Sequence, residues 1–92
     1  MAEIVVDADT QDAERLSFRV RVAGDSSETT HDVTVARADF ERLARSDETE
    51  TQFIRRCFEF LLEREPSEAI MSTFDVSVIK SYFPEFEEEI EP

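Results

Sequence analysis

Glycine, lysine, cysteine and histidine each occur once in the 92 residues of this chain, and tryptophan does not occur. With one glycine, Gly24, the chain cannot make a glycine-rich phosphate loop, in which bare backbone has to approach the ligand. One cysteine, Cys57, excludes an intramolecular disulfide and fits a reducing compartment. Together with the lone His31 it cannot form a structural zinc site without several carboxylates. No apolar run approaches the roughly 18 residues of a membrane span. The start, Met1–Val6, lacks the basic stretch and long apolar core of a secretion signal. The expectation is a cytoplasmic protein that does not engage a membrane.

Positive charge is also scarce. Ten basic residues face 23 acidic ones, and Lys80 is the only basic residue that is not arginine, which leaves a formal charge of -13. The corresponding pI is about 4.3. Self-repulsion on this scale keeps a protein dispersed but loosens its compact state. Salt relieves the repulsion, because the Debye length falls from about 8 Å at physiological ionic strength to about 3 Å at 1 M. An acidic surface with almost no lysine resembles the composition of proteins from extreme halophiles. There the weakly hydrated, fork-shaped guanidinium carries the positive charge. The functional alternative is an acidic protein that docks on a basic partner or mimics nucleic acid. Hydrophobic residues still make up 40% of the chain, with eight phenylalanines, so it is not of disordered composition. At this length about 60% of the unfolded surface can be buried, enough for one modest core.

Residues 1–13 contain Ile4-Val5-Val6 followed by a polar run, and read as a flexible arm or a short edge strand, the arm being preferred. Residues 15–23 alternate strictly. Leu16, Phe18, Val20 and Val22 point one way, and Arg15, Ser17, Arg19 and Arg21 the other, which makes a strand with one buried face. Turn residues Gly24-Asp25-Ser26-Ser27 lead to a second strand over 29–35 with His31, Val33 and Val35 inward. Since one strand buries even positions and the other odd ones, opposed residues must have numbers of odd sum. A loop over 25–28 would set Arg21 opposite Asp32, Val22 opposite His31 and Val20 opposite Val33.

Helices are expected over about 37–45, 50–64, 67–73 and 76–90, the last broken or kinked at Pro84. Thr49 and Gln52 have capping-box spacing at the start of the second helix. Its apolar residues, from Phe53 to Leu62, cover roughly 200° of its girth, leaving Arg55, Arg56, Glu59 and Glu63 for water. A helix of that kind is covered on two sides. Asp75 is placed as an N-cap, with Phe74 and Ile79 at hydrophobic-staple spacing. The sum is a single α+β domain over 14–92, an antiparallel hairpin packed against three or four helices.

Chemistry is thinly represented. His31 and Cys57 are the only nucleophile–base pairing on offer, and each falls on an apolar face where a structural role suffices. Asp7, Asp9 and Asp12 lack the glycine and glutamate of a calcium loop. No catalytic residue, cofactor or metal is therefore expected. Arg15, Arg19 and Arg21 form a stripe on one strand face that could bind an anion or nucleic acid. No aromatic residue interleaves with them to stack bases, and pairing with acids such as Asp32 and Glu28 is the simpler account. The segment 82–90 sets Tyr82, Phe86 and Ile90 beside an acidic run, as a docking element would. Phe86 and Ile90 could equally close the core.

The run Phe58-Glu59-Phe60-Leu61-Leu62-Glu63-Arg64-Glu65-Pro66, with Phe74-Asp75-Val76-Ser77-Val78-Ile79 and Tyr82-Phe83-Pro84-Glu85-Phe86, resembles small uncharacterised prokaryotic proteins of similar length. The likeness covers the C-terminal half and implies a recurring helical unit. It brings no activity, ligand or site residue. The expected role is that of a non-catalytic protein-binding or adaptor module with an unidentified protein partner, using Tyr82, Phe86 and Ile90. The alternative is a regulatory nucleic-acid binder using the arginine stripe. An open sheet edge could also be covered in a homodimer.

If repulsion between acids limits stability, the thermal midpoint should climb between 0.1 M and 3 M KCl. A rise of at least about 5 °C, equivalent to about 1 kcal/mol for a domain of this size, is expected by circular dichroism. A flat or falling midpoint would show that charge repulsion is not the limiting cost.

Overall fold

The computed structural model describes residues 3–24 and 27–90. Asp25 and Ser26 of the expected turn, and the first two and last two residues, lie outside these. Strands β1 (Glu3–Gln11), β2 (Arg15–Ala23) and β3 (Glu28–Ala36) form an antiparallel meander. A three-residue strand β4 (Thr73–Asp75) pairs parallel with β3, so the sheet order is β1-β2-β3-β4. The helices are α1 (Arg37–Leu43), α2 (Glu50–Leu62), α3 (Ile79–Tyr82) and α4 (Phe86–Ile90). The fold class is α+β with an N-terminal hairpin, as the alternation predicts.

The hairpin keeps the expected faces, but its register is shifted, so that each β2 residue meets a partner two positions earlier than expected. Arg19 opposes Asp32, Val20 opposes His31 and Phe18 opposes Val33. The Gly24 N–H donates to the Ser27 carbonyl at 2.8 Å, so the loop starts one residue earlier than expected and Ala23 meets Glu28. Parity is preserved, and the same side chains stay buried.

Residues 3–11 are an edge strand and not an arm. Ile4, Val6 and Ala8 oppose Val22, Val20 and Phe18, and buried Ile4 with half-buried Val6 extends the buried face of β2 by one strand. The pairing supplies the third strand that a hairpin needs to be stable. The register shifts between Ala8 and Gln11, a bulge-type irregularity. Arg37 then fastens the β1–β2 turn, donating through Nε to the Ala13 carbonyl (2.7 Å) and through Nη2 to that of Asp12 (3.0 Å).

The expected helix over 67–73 is a further correction. Only a 3₁₀ turn, Ser67–Ala69, forms there, and the chain then extends into β4. Phe74 points into the core between exposed Thr73 and half-exposed Asp75, an alternation that suits a strand. The long excursion through α1 and α2 provides the crossover that parallel pairing requires. The last expected helix also divides. A 3₁₀ turn, Val76–Val78, runs into α3, and Pro84 separates α3 from α4. Asp75 caps the first of these, accepting from the Ser77 N–H at 3.1 Å.

Helix α2 lies at the centre. Both halves of its capping box are present, Gln52 N–H to Thr49 Oγ1 at 3.2 Å and Thr49 N–H to Gln52 Oε1 at 2.9 Å. Its phenylalanines reach three neighbours. Phe53 meets Phe40 of α1 edge-on at 5.5 Å between ring centroids. Phe58 lies against His31 of β3 at 5.4 Å and Phe74 of β4 at 6.0 Å. Phe60 faces the other way, onto Phe86 at 5.0 Å and Phe83 at 6.0 Å.

Arg56 is not left for water. Its Nε and Nη2 hold Glu48 bidentately at 2.7 and 2.8 Å, and Nη1 donates to the Ile90 carbonyl. Only 14% of the Arg56 side chain and 8% of the Glu48 side chain are exposed. Burial alone would push the Glu48 carboxyl up, but the Arg56 hydrogen bonds and the Arg45 N–H outweigh it and hold the carboxyl low.

Phe86 and Ile90, at 1% and 3% exposure, belong to the core, so they are not docking residues. Replacing Phe86 by Ala should cost about 3–5 kcal/mol and Ile90 by Ala about 2–5. Tyr82→Ala, at a surface position, should stay within about 0.5 kcal/mol of the parent. Urea denaturation at one fixed salt concentration compares the three. Equal costs for Phe86→Ala and Tyr82→Ala would contradict this packing.

Candidate functional site

Packing encloses both His31 and Cys57. His31 is 2% exposed and uses both ring nitrogens. Nδ1 lies 2.7 Å from the Met71 carbonyl and Nε2 lies 2.9 Å from Thr29 Oγ1. A carbonyl only accepts, so Nδ1 carries a proton and donates it to Met71, while Nε2 is hydrogen-bonded to the threonine hydroxyl. Neither nitrogen is left for a base. Cys57 is buried among apolar side chains, and burial pushes its thiol well above the ordinary range. The histidine ties β3 to the segment before β4, and the cysteine fills space in α2.

The arginine stripe lies on the outer face of the sheet, and each of its guanidinium groups faces a carboxylate. Arg15 Nη1 is 2.7 Å from Asp75, Arg19 Nε 3.3 Å from Asp32, and Arg21 Nε 3.7 Å from Glu28. Asp7 of β1 stands opposite Arg19 from the other side. Asp75 gathers most partners, accepting from the Thr34 hydroxyl, the Ser77 N–H and Arg15. Burial raises its carboxyl, and these bonds more than reverse that, leaving it low. Exposed pairs like these stabilise by only about 0.2–1 kcal/mol each, but each sets a carboxylate beside its guanidinium. Among the described residues, no group of three or more His, Cys, Asp or Glu side chains is arranged to hold a metal ion.

Tyr82 is the one expected docking residue that remains at the surface, and it lines an open cleft of about 260 Å³. Buried Leu61, Ile70, Phe74 and Ile79 contribute to the lining, and Met71 and Tyr82 stand exposed beside them. Met71 and Tyr82, at 40% and 64% exposure, are the only exposed large hydrophobic side chains among the described residues. Both belong to the same cleft. The end of α2, the 3₁₀ turn Ser67–Ala69, β4 and α3 surround it. Glu65 is the one charged residue of its lining.

Sequence reasoning misses Met71 and Glu65. The signal for Met71 is its place beside Ile70, between Pro66 and the alternating Thr73-Phe74-Asp75. So short a segment cannot bury two large apolar side chains. Comparison with protein-family models, curated proteins and solved structures yields no match, so function has to be reasoned from the site's own chemistry.

A thiol in this environment should be protected by the fold. Labelling of native Cys57 by a thiol reagent is expected to run at least roughly a hundredfold slower than in the urea-unfolded chain, because it waits on opening of the core. Equal rates in the two states would restore Cys57 as a candidate nucleophile.

Proposed function

We propose that this chain is a non-catalytic protein-binding module of the cytoplasm, adapted to high salt, and that the cleft between Met71 and Tyr82 receives an apolar side chain of its partner. One observation carries this reading: the two large hydrophobic side chains exposed among the described residues line a single concavity on a chain of strongly acidic composition. Exposed apolar groups that converge on a concavity behave differently from scattered ones, which need no explanation. Buried aromatic and aliphatic anchors in such pockets supply most of the energy of protein interfaces. A volume near 260 Å³ sits just under the roughly 300 Å³ at which small-molecule and cofactor pockets begin, and suits a side-chain anchor.

The arginine stripe supports the nucleic-acid alternative less well, because its guanidinium groups are already occupied by Asp75, Asp32 and Glu28. Catalysis finds little support in a buried thiol and a histidine with both nitrogens engaged.

The test is a pull-down from native cell extract at a KCl concentration where circular dichroism shows the fold intact. The double variant Met71→Ser/Tyr82→Ser should keep the fold and recover its partner at least about tenfold less well, the loss expected for removing interface anchors. Undiminished recovery by that variant would overturn the reading. Nucleic acid retained by the double variant, and released when Arg15, Arg19 and Arg21 are changed to Gln, would transfer the function to the outer sheet face.

A further inference from the structure

The cleft has an electrostatic asymmetry that narrows the choice of occupant. Glu65 is its only charged lining residue, is half-buried, and has no cation within ion-pair distance among the described residues. The cations on the neighbouring segments are turned elsewhere. Arg64 donates to Glu85 at 3.1 Å and Glu89 at 2.8 Å, with its guanidinium 3.6 Å from the Phe60 ring centroid. Lys80 of α3 pairs with Glu87 at 3.5 Å.

An apolar group entering the cleft displaces water from a lining to which Glu65 belongs. Taking a charge out of water is costly unless an opposite charge arrives with the ligand. A neutral apolar occupant therefore carries a desolvation penalty, an anionic one adds repulsion, and a cationic one offsets both. Resting on the docking reading above, we infer that the occupant is a segment of a partner protein with a large apolar side chain directly beside an arginine or lysine. The apolar side chain sits between Met71 and Tyr82, and the cation pairs with Glu65. A second copy of this chain fits poorly, because it would bring a further charge of -13 to the interface.

Three capped pentapeptides provide the probe, identical except that the residue after a central phenylalanine is arginine, glutamine or glutamate. Each is titrated into the whole chain by NMR, at the salt concentration that keeps the fold intact. The arginine peptide should shift the methyl signals of Ile70, Met71 and Ile79 and the ring signals of Tyr82. It should bind about two- to fivefold tighter than the glutamine peptide, the range of a partly exposed ion pair, with the glutamate peptide weakest. Glu65→Gln should bring the arginine-to-glutamine ratio to about one, consistent with loss of that pair. Glu3→Gln, the same change on the opposite edge strand, should leave the ratio as it was.

The outcomes separate the two levels of the proposal. If no peptide moves the cleft signals, the docking reading itself fails. If the three bind alike, the cleft remains a docking site and the cation preference is wrong. A preference that survives Glu65→Gln belongs to the overall negative charge and also overturns the inference. Cleft signals that move with protein concentration alone would make a second copy the occupant, against this inference.

Discussion

Helix α2 presents apolar side chains around more than half of its girth, and no single neighbour can cover it. The sheet takes one side, where Phe58 lies against His31 and Phe74. The segment after Tyr82 takes another, where Phe60 meets Phe83 and Phe86. Full burial of each such phenylalanine is worth about 1.5–3 kcal/mol, so leaving either side open would remove much of the margin of a domain this small. The rest of the chain follows from that requirement. Strand β1 widens the sheet over the helix, and α4 folds back because Phe86 and Ile90 have nowhere else to be buried.

Covering the helix brings together elements whose surfaces are mostly acidic, and arginine holds the seams. Arg56 spans the approach to α2 and the end of α4 through Glu48 and the Ile90 carbonyl. Arg42 joins α1 to α4 through Glu87 at 3.2 Å while also holding Asp39 of its own helix at 3.2 Å. Arg64 joins the end of α2 to Glu85 and Glu89, and Arg37 closes the β1–β2 turn on two carbonyls. Each of these side chains serves two or more acceptors at once. A planar fork with five donors can do that in fixed geometry, whereas an ammonium acts as a point charge. The near-absence of lysine thus has a structural reason besides the hydration argument drawn from composition. Salt screens the many unpaired acids at long range, while buried contacts such as Arg56–Glu48 are screened far less.

What was legible in the sequence was local. The alternation of 15–23, the capping box at Thr49, the Asp75 cap and the break at Pro84 each depend on neighbouring residues, and each has its expected place in the structure. The girth of α2 correctly demanded cover on two sides. Apart from the hairpin loop, which begins one residue early, the main misses were non-local. Ile4-Val5-Val6 looks the same in an arm as in a strand, and only the vacant edge of β2 decides between them. Ile70 to Thr73 fits a helical turn until β3 offers an edge to Phe74. Arg56 reads as exposed on a helical wheel, because the wheel cannot show that the Ile90 carbonyl and Glu48 meet above it. The candidate site was half legible for the same reason. Tyr82 lies on a visible stripe, but its position opposite Met71 depends on β4, which the sequence does not announce.

The cleft itself is a product of brevity. Pro66 and Pro84 cut the chain at both ends of the region, and between them the structure consists of a 3₁₀ turn, a three-residue strand, a second 3₁₀ turn and a four-residue helix. Elements that short cover few side chains, so in the link between the first 3₁₀ turn and β4 Ile70 is buried and Met71 is not, and within α3 Ile79 is buried and Tyr82 is not. At molar salt, where the Debye length is about 3 Å, a charge cannot steer a partner from a distance. Recognition under those conditions has to reside in apolar contact and in ion pairs made at touching range. Met71 and Tyr82 offer the first and Glu65 the second, within one lining. On the proposed docking reading, the many other carboxylates serve mainly in solvation, while Glu65, the one charged member of the cleft lining, supplies the charge a partner would meet at contact range.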